Sequence, residues 1–246
     1  MPLVPMVIKN IPGEGVRAMD IYSRLLDERI IMLTTDFNDD MASLIVSQLL
    51  YLQSEDGTKD ITMYINSPGG SITSMWSIID TMNLISCEVS TVCIGMAASA
   101  GSAVLVAGAK GKRFILPHAK IMIHQPSSGT QGKISDIEIA FNESQKTKEL
   151  MHRFMAEKTG QTVAQITKDM DRDTWFTAEE SLKYGLIDKI LQNKDSKSQV
   201  KLENKSEKEE SKNSEKNSDF KTSTQTETQP KSQTKATKPK KPTPKK

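Results

Sequence analysis

Cysteine is almost missing from this chain. Its 246 residues include two, Cys87 and Cys93, too few for a disulfide framework and without the paired Cys or His spacing of a zinc site. Such a pair suits buried, reduced thiols in a cytosolic protein, and no metal is expected. Histidine is as scarce, so any imidazole-dependent chemistry rests on His118, His124 or His152. No run reaches the roughly eighteen apolar residues that a membrane span needs. The opening Met1-Pro2-Leu3-Val4-Pro5-Met6 lacks the basic region and apolar core of a secretory leader. No membrane partner is expected, and the cytoplasm is the expected location. A phosphate-binding loop is also missing, because Gly108-Ala109-Lys110-Gly111-Lys112 has the wrong spacing.

What is present divides sharply. Residues 1–190 hold nearly all the large apolar side chains, whereas 191–246 offer only Leu191, Val200, Leu202 and Phe220 among 15 lysines and 8 acidic residues. The whole chain carries a formal +2, so a basic tail balances an acidic body. A stretch with so little to bury cannot offset the entropy of ordering, and 192–246 are read as a disordered, Lys-rich extension. One aromatic residue in that stretch gives no platform for stacking on bases, so nucleic acid is not an expected partner.

The body reads as an α/β fold. Residues 29–33 form a short strand-type run, and Met41, Leu44, Ile45, Leu49 and Leu52 recur at helical spacing. Residues 60–66 alternate as a strand and end in the turn Ser67-Pro68-Gly69-Gly70, and helical spacing returns through 72–85. A strand over 89–94 and a small-residue helix over 97–109 complete the third strand-helix unit. Repeated βα units imply a largely parallel sheet, with sites at the carboxyl ends of its strands. Residues 133–158 lack Gly and Pro and would make a helix of about 39 Å, long enough to project and meet another copy. Thr177-Ala178-Glu179-Glu180 is a capping box for a helix ending at Gly185.

Two stretches carry chemistry. Gly95-Met96-Ala97-Ala98-Ser99-Ala100-Gly101-Ser102 sets a serine among small residues, and Ile121-Met122-Ile123-His124-Gln125-Pro126 sets a histidine at the end of a β-type run. A serine hydroxyl becomes a nucleophile when a base takes its proton, and small neighbours leave room for a carbonyl to approach. An orienting carboxylate is then required, and Asp136, Asp169, Asp171, Asp173 and Asp188 all follow His124. Asp173 is favoured because Thr174-Trp175-Phe176 would anchor it to the core. Backbone N–H groups of Ala100 and of the Gly69-Gly70 turn are the natural oxyanion donors. Each element also has a plain structural explanation: Ser99 as a helix cap, His124 as a strand-end residue, Asp171-Arg172-Asp173 as a solvated cluster. Their joint occurrence is what points to catalysis, and His118 and His152 have no comparable setting.

Across residues 2–190 the chain resembles the proteolytic subunits of Clp proteases. The matching stretches are Leu3–Ile8, Asp20–Leu26, Tyr64–Gly70, Thr91–Ser102, Arg113–Pro126 and Tyr184–Asp188. The resemblance implies Ser99 as nucleophile, His124 as general base and acid, and Asp173 as orienting carboxylate, with Gly70 and Ala100 supplying the oxyanion hole. It implies a crotonase-like α/β fold with a protruding handle, about 126–158, inside a protease domain over 20–191 that follows an axial pore segment over 1–19. Two seven-membered rings of the chain would stack around a chamber, with Asp136 and Arg172 at the contact between rings. Unfolded polypeptide would be the substrate, and a hexameric AAA+ unfoldase would deliver folded proteins. No cofactor is expected, since the unfoldase uses the ATP. The alternatives are a catalytically silent ring subunit and an acyl-CoA enzyme of the crotonase fold, which needs no Ser-His pair.

Overall fold

Asp20 closes one element and opens the next. In the computed structural model, which describes residues 3–11 and 15–192, strands β1 (Met6–Ile11) and β2 (Gly15–Asp20) form an antiparallel hairpin. The Asp20 carboxylate then accepts from the Tyr22 and Ser23 N–H groups and caps α1 (Ile21–Asp27). Three strand-helix units follow: β3 (Ile30–Leu33) with α2 (Asp39–Glu55), β4 (Ile61–Ser67) with α3 (Ile72–Leu84), and β5 (Val89–Ala98) with α4 (Ala100–Ala107). Then come β6 (Arg113–Ile115), β7 (Lys120–Ile123), α5 (Ile134–Thr159), α6 (Val163–Asp169), β8 (Thr174–Phe176), α7 (Ala178–Tyr184) and β9 (Lys189–Ile190).

The mixed α/β reading with a parallel sheet holds. Strands run in the order β3-β4-β5-β6-β9, all parallel, while β7 lies parallel to β5 and antiparallel to β8. Ile31, Leu33, Ile61, Met63 and Ile65 on the sheet meet Ile45 and Leu49 of α2, Met75, Ile78 and Ile79 of α3, and Leu105 of α4, all fully buried in one core. Each such side chain contributes about 1.5–3 kcal/mol of burial. The capping box at Thr177 and the end of α7 at Gly185 are as the sequence predicts, Gly185 adopting the left-handed conformation. Leu44, which falls at the helical spacing of α2, is instead exposed, as is Leu84 at the end of α3.

One boundary needs correction. The strand expected to stop at Ile94 continues to Ala98, and the helix expected from Ala97 starts at Ala100. The pairing of β4 with β5 shifts between Ile65 and Ser67, which face Cys93 and Ala97. Two extra residues in β5 are therefore accommodated as a bulge. Asn66 fills it: its Oδ1 accepts the Met96 N–H at 3.1 Å, and a Cβ on Gly95 would lie 2.7 Å from that oxygen. Before the bulge β5 pairs with β6, and after it with β7. A bulge re-aims the strand end, and here the strand end leads directly into Ser99. The Lys-rich tail expected over 192–246 lies outside the described residues beyond Gln192, as do residues 1, 2 and 12–14 of the expected pore segment.

Candidate active site

Ser99 occupies the single residue between β5 and α4. Its backbone stands at φ 54°, ψ −120°, a conformation strained for any side chain other than glycine's. The surroundings hold it there. The Ser99 N–H donates to Met122 O on β7 at 2.9 Å, its carbonyl accepts from the Ser102 and Ala103 N–H groups, and the Ser102 hydroxyl donates to it at 2.6 Å. Serine at a helix N-cap ordinarily turns its oxygen onto the first-turn N–H groups, but Ser99 makes no such cap. Its Oγ lies 2.9 Å from His124 Nε2 instead.

His124 and Asp173 meet through strand register. The antiparallel pairs Ile121↔Phe176, Met122↔Trp175 and Ile123↔Thr174 extend by one step to His124 opposite Asp173. His124 Nδ1 lies 2.9 Å from Asp173 Oδ1. The remaining carboxylates are engaged elsewhere or stand apart. Asp188 is paired with Arg113; burial raises its pKa, but the Arg113 hydrogen bonds outweigh this and hold it below the usual carboxylate value. Asp169 accepts from the Tyr184 hydroxyl and from Gln165, and Asp171 O accepts from Gln125 Nε2. Asp136 is exposed in the first turn of α5, and Arg172 is exposed beside Asp171. The expected apolar anchor is Phe176, buried at the end of β8, whereas Trp175 is half-exposed.

Two N–H groups are available near the Ser99 hydroxyl. Ala100 opens α4, where first-turn amides have no partner within the helix and the helix dipole favours negative charge. Gly70 follows the β4 turn, and the bridge there uses the Phe37 N–H to Gly69 O and the Ser71 N–H to Phe37 O, leaving the Gly70 N–H out of it. Glycine is required at this turn. Gly69 stands at φ 102°, and a Cβ on it would lie 2.6 Å from the Ser99 Cβ and 3.1 Å from the Ala100 N. Gly69 and Asn66 are thus positioning residues; sequence reasoning offered the Gly69-Gly70 turn only as an oxyanion donor and gave Asn66 no role. The Asn-Ser-Pro-Gly-Gly string was the available signal.

A small cleft opens beside Ser99 and His124, with Ile72, Met75, Pro126, Met151, Met155 and Met170 among its lining residues. Four of its lining residues are methionines, whose unbranched thioethers adapt to guests of varied shape. The thiols take no part: Cys87 and Cys93 are buried, and burial pushes the Cys93 pKa up to about 12. His118 is exposed, while His152 is buried with Nδ1 3.0 Å from Thr167 Oγ1. Among the described residues no cluster of His, Cys, Asp or Glu could hold a metal ion, and no helix is long and apolar enough to cross a membrane.

This arrangement can deprotonate a hydroxyl and hold an oxyanion, and the sequence match agrees with it. Residues 13–194 match the family model described as Clp protease. The chain belongs to the Clp protease family. That membership makes it a member of a family of serine peptidases of protein turnover. It also accounts for the α/β body as one family unit, since the match spans the fold from β2 past β9.

Proposed function

We propose that this Clp protease family member is an active serine endopeptidase that cleaves unfolded polypeptide. One observation carries the reading: the Ser99 hydroxyl, unspent on helix capping, lies in a continuous chain with His124 and Asp173 at 2.9 Å per step. His124 Nε2 accepts the Ser99 proton as Oγ attacks the scissile carbonyl carbon. Asp173 holds the Nδ1–H tautomer and stabilises the imidazolium. The tetrahedral oxyanion is held by the Gly70 and Ala100 N–H groups. His124 returns the proton to the leaving amine, and water repeats the sequence to release the acyl group.

The assembly reading rests on α5. Its 26 residues bury Met151, His152, Met155 and Ala156 at the C-terminal end, while Ile134, Ile139 and Phe141 at the other end stand more than half exposed. An apolar helix end without cover fits a handle that packs between copies. In this reading two heptameric rings enclose the sites, Asp136 and Arg172 lie at the contact between rings, residues 1–19 surround the entry pore, and a hexameric AAA+ unfoldase spends ATP to feed folded substrates.

A fluorophosphonate probe tests the chemistry. Labelling is expected on Ser99 and is expected to vanish in Ser99→Ala, together with peptide hydrolysis. His124→Ala and Asp173→Asn should each lower turnover by roughly 10²–10⁴-fold, and neither should add much to Ser99→Ala, because the three groups act as a unit. Wild-type turnover in Ser99→Ala would refute the assignment. Acyl-CoA turnover without labelling would support the crotonase alternative.

A further inference from the structure

The Asp173 carboxylate is oddly unsupported for an orienting group. Its side chain is 62% exposed, and among the described residues His124 is the only side chain bonded to it. Its aim at His124 therefore depends on the backbone that carries it. That backbone is held on its C-terminal side by the β7–β8 pairing and by the Thr174 hydroxyl, which donates to Asp169 O at 2.6 Å. On its N-terminal side it is held by Gln125. The Gln125 N–H donates to Met170 O at 2.5 Å, and its side-chain Nε2 donates to Asp171 O at 2.9 Å, with Asp171 Oδ1 at 3.4 Å.

We propose that Gln125 is a positioning residue that clamps the Met170–Asp173 loop and so keeps Asp173 within hydrogen-bond reach of His124. Gln125 is next to His124 in the chain, so the clamp ties the carboxylate's loop to the strand that carries the imidazole. Pro126 prepares it, because a residue before proline is confined to extended conformations, which points the Gln125 backbone N–H across to the loop. The clamp also borders the cleft, since Met170 and Pro126 both line it. A loop tied by two amide bonds in an exposed setting is a place where small shifts decide whether the carboxylate orients the imidazole or faces water.

The inference rests on the serine-peptidase reading, and its test separates the two. Peptide hydrolysis is measured for wild type, Gln125→Met, which keeps length without a donor, and Gln125→Asn, which keeps a donor but lacks the reach. Both variants are expected to lower kcat by roughly 10–100-fold, the scale of ångström-level misplacement, with KM little changed and Ser99 still labelled by the probe. In an Asp173→Asn background the same substitutions are expected to add little. Wild-type kcat in both variants, a loss that appears in KM and not in kcat, or an equal loss in the Asp173→Asn background would overturn the role of Gln125. Absence of hydrolysis and labelling in wild type would instead overturn the peptidase reading itself.

Discussion

A methyl group on Gly69 has no room, because its position is 2.6 Å from the Ser99 Cβ and the backbone there stands at φ 102°. Gly69→Ala must either move the turn or push Ser99 off its own strained backbone position. Strain of this kind costs about 1–3 kcal/mol, which a core with this many fully buried side chains can absorb. The expected outcome is a folded protein with a modestly lower Tm and a kcat reduced about tenfold or more, since nucleophile placement is sensitive at the ångström scale. Circular dichroism with peptide hydrolysis checks both parts. Full activity in Gly69→Ala would show that the turn yields without disturbing Ser99. At this scale much was legible. Ser99 stood out for its small-residue setting just after an apolar run, and His124 as one of three histidines, set at the end of a β-type run. Asp173 did not, since five aspartates lie between His124 and residue 190 and nothing local ranks them beyond an apolar anchor.

Elements are joined by a second polar tie away from the site. Arg113 on β6 donates through Nε and Nη2 to Asp188 just before β9, and through Nη1 to Lys158 O near the end of α5, at 2.6–3.0 Å. The pair is largely buried, with side-chain exposures of 9% and 19%. The Asp188 carboxyl is held below its ordinary value, so this tie stabilises the fold above about pH 4, the unfolded carboxylate range. That contribution is lost as pH falls through the depressed folded value. Asp188→Asn is therefore expected to lower stability by about 3 kcal/mol at neutral pH, the low end for removing one partner of a buried pair. The gap in Tm between mutant and wild type should close on acidification, and parallel curves down to pH 2 would refute this assignment. Helices were legible at this scale from apolar spacing and caps, as at Thr177 and Gly185. The end of β5 was not, because Ala97 and Ala98 suit a helix by propensity. Pairing with Ile121 and Met122 of β7 holds them extended.

For the whole molecule, the exposed end of α5 is the feature that a single chain leaves unexplained. Ile137, 38% exposed between Ile134 and Phe141, lies on the face expected to meet another copy. Ile137→Glu would bury a charge at such a contact, and an unpaired buried charge is costly. Smaller assemblies than wild type are expected by analytical ultracentrifugation, with peptidase activity falling in step. An Ile137→Glu protein with wild-type size and activity would remove α5 from the assembly contact.

The sequence by itself determined the fold class, the strand-helix order, the long helix after His124, and the two motifs that carry Ser99 and His124. These are local properties: apolar period, turn residues, caps and the rarity of histidine. Only the tertiary structure decided that β5 runs on to Ala98 through a bulge filled by Asn66, and that the Ser99 hydroxyl turns away from its helix. It also decided that the register of β7 on β8 sets Asp173, and no other aspartate, opposite His124. Register and bulge are fixed by partners that lie tens of residues away along the chain. A one-residue slip in pairing would send every side chain to the opposite face, so the choice of carboxylate is made by strand pairing and not by the residues around Asp173.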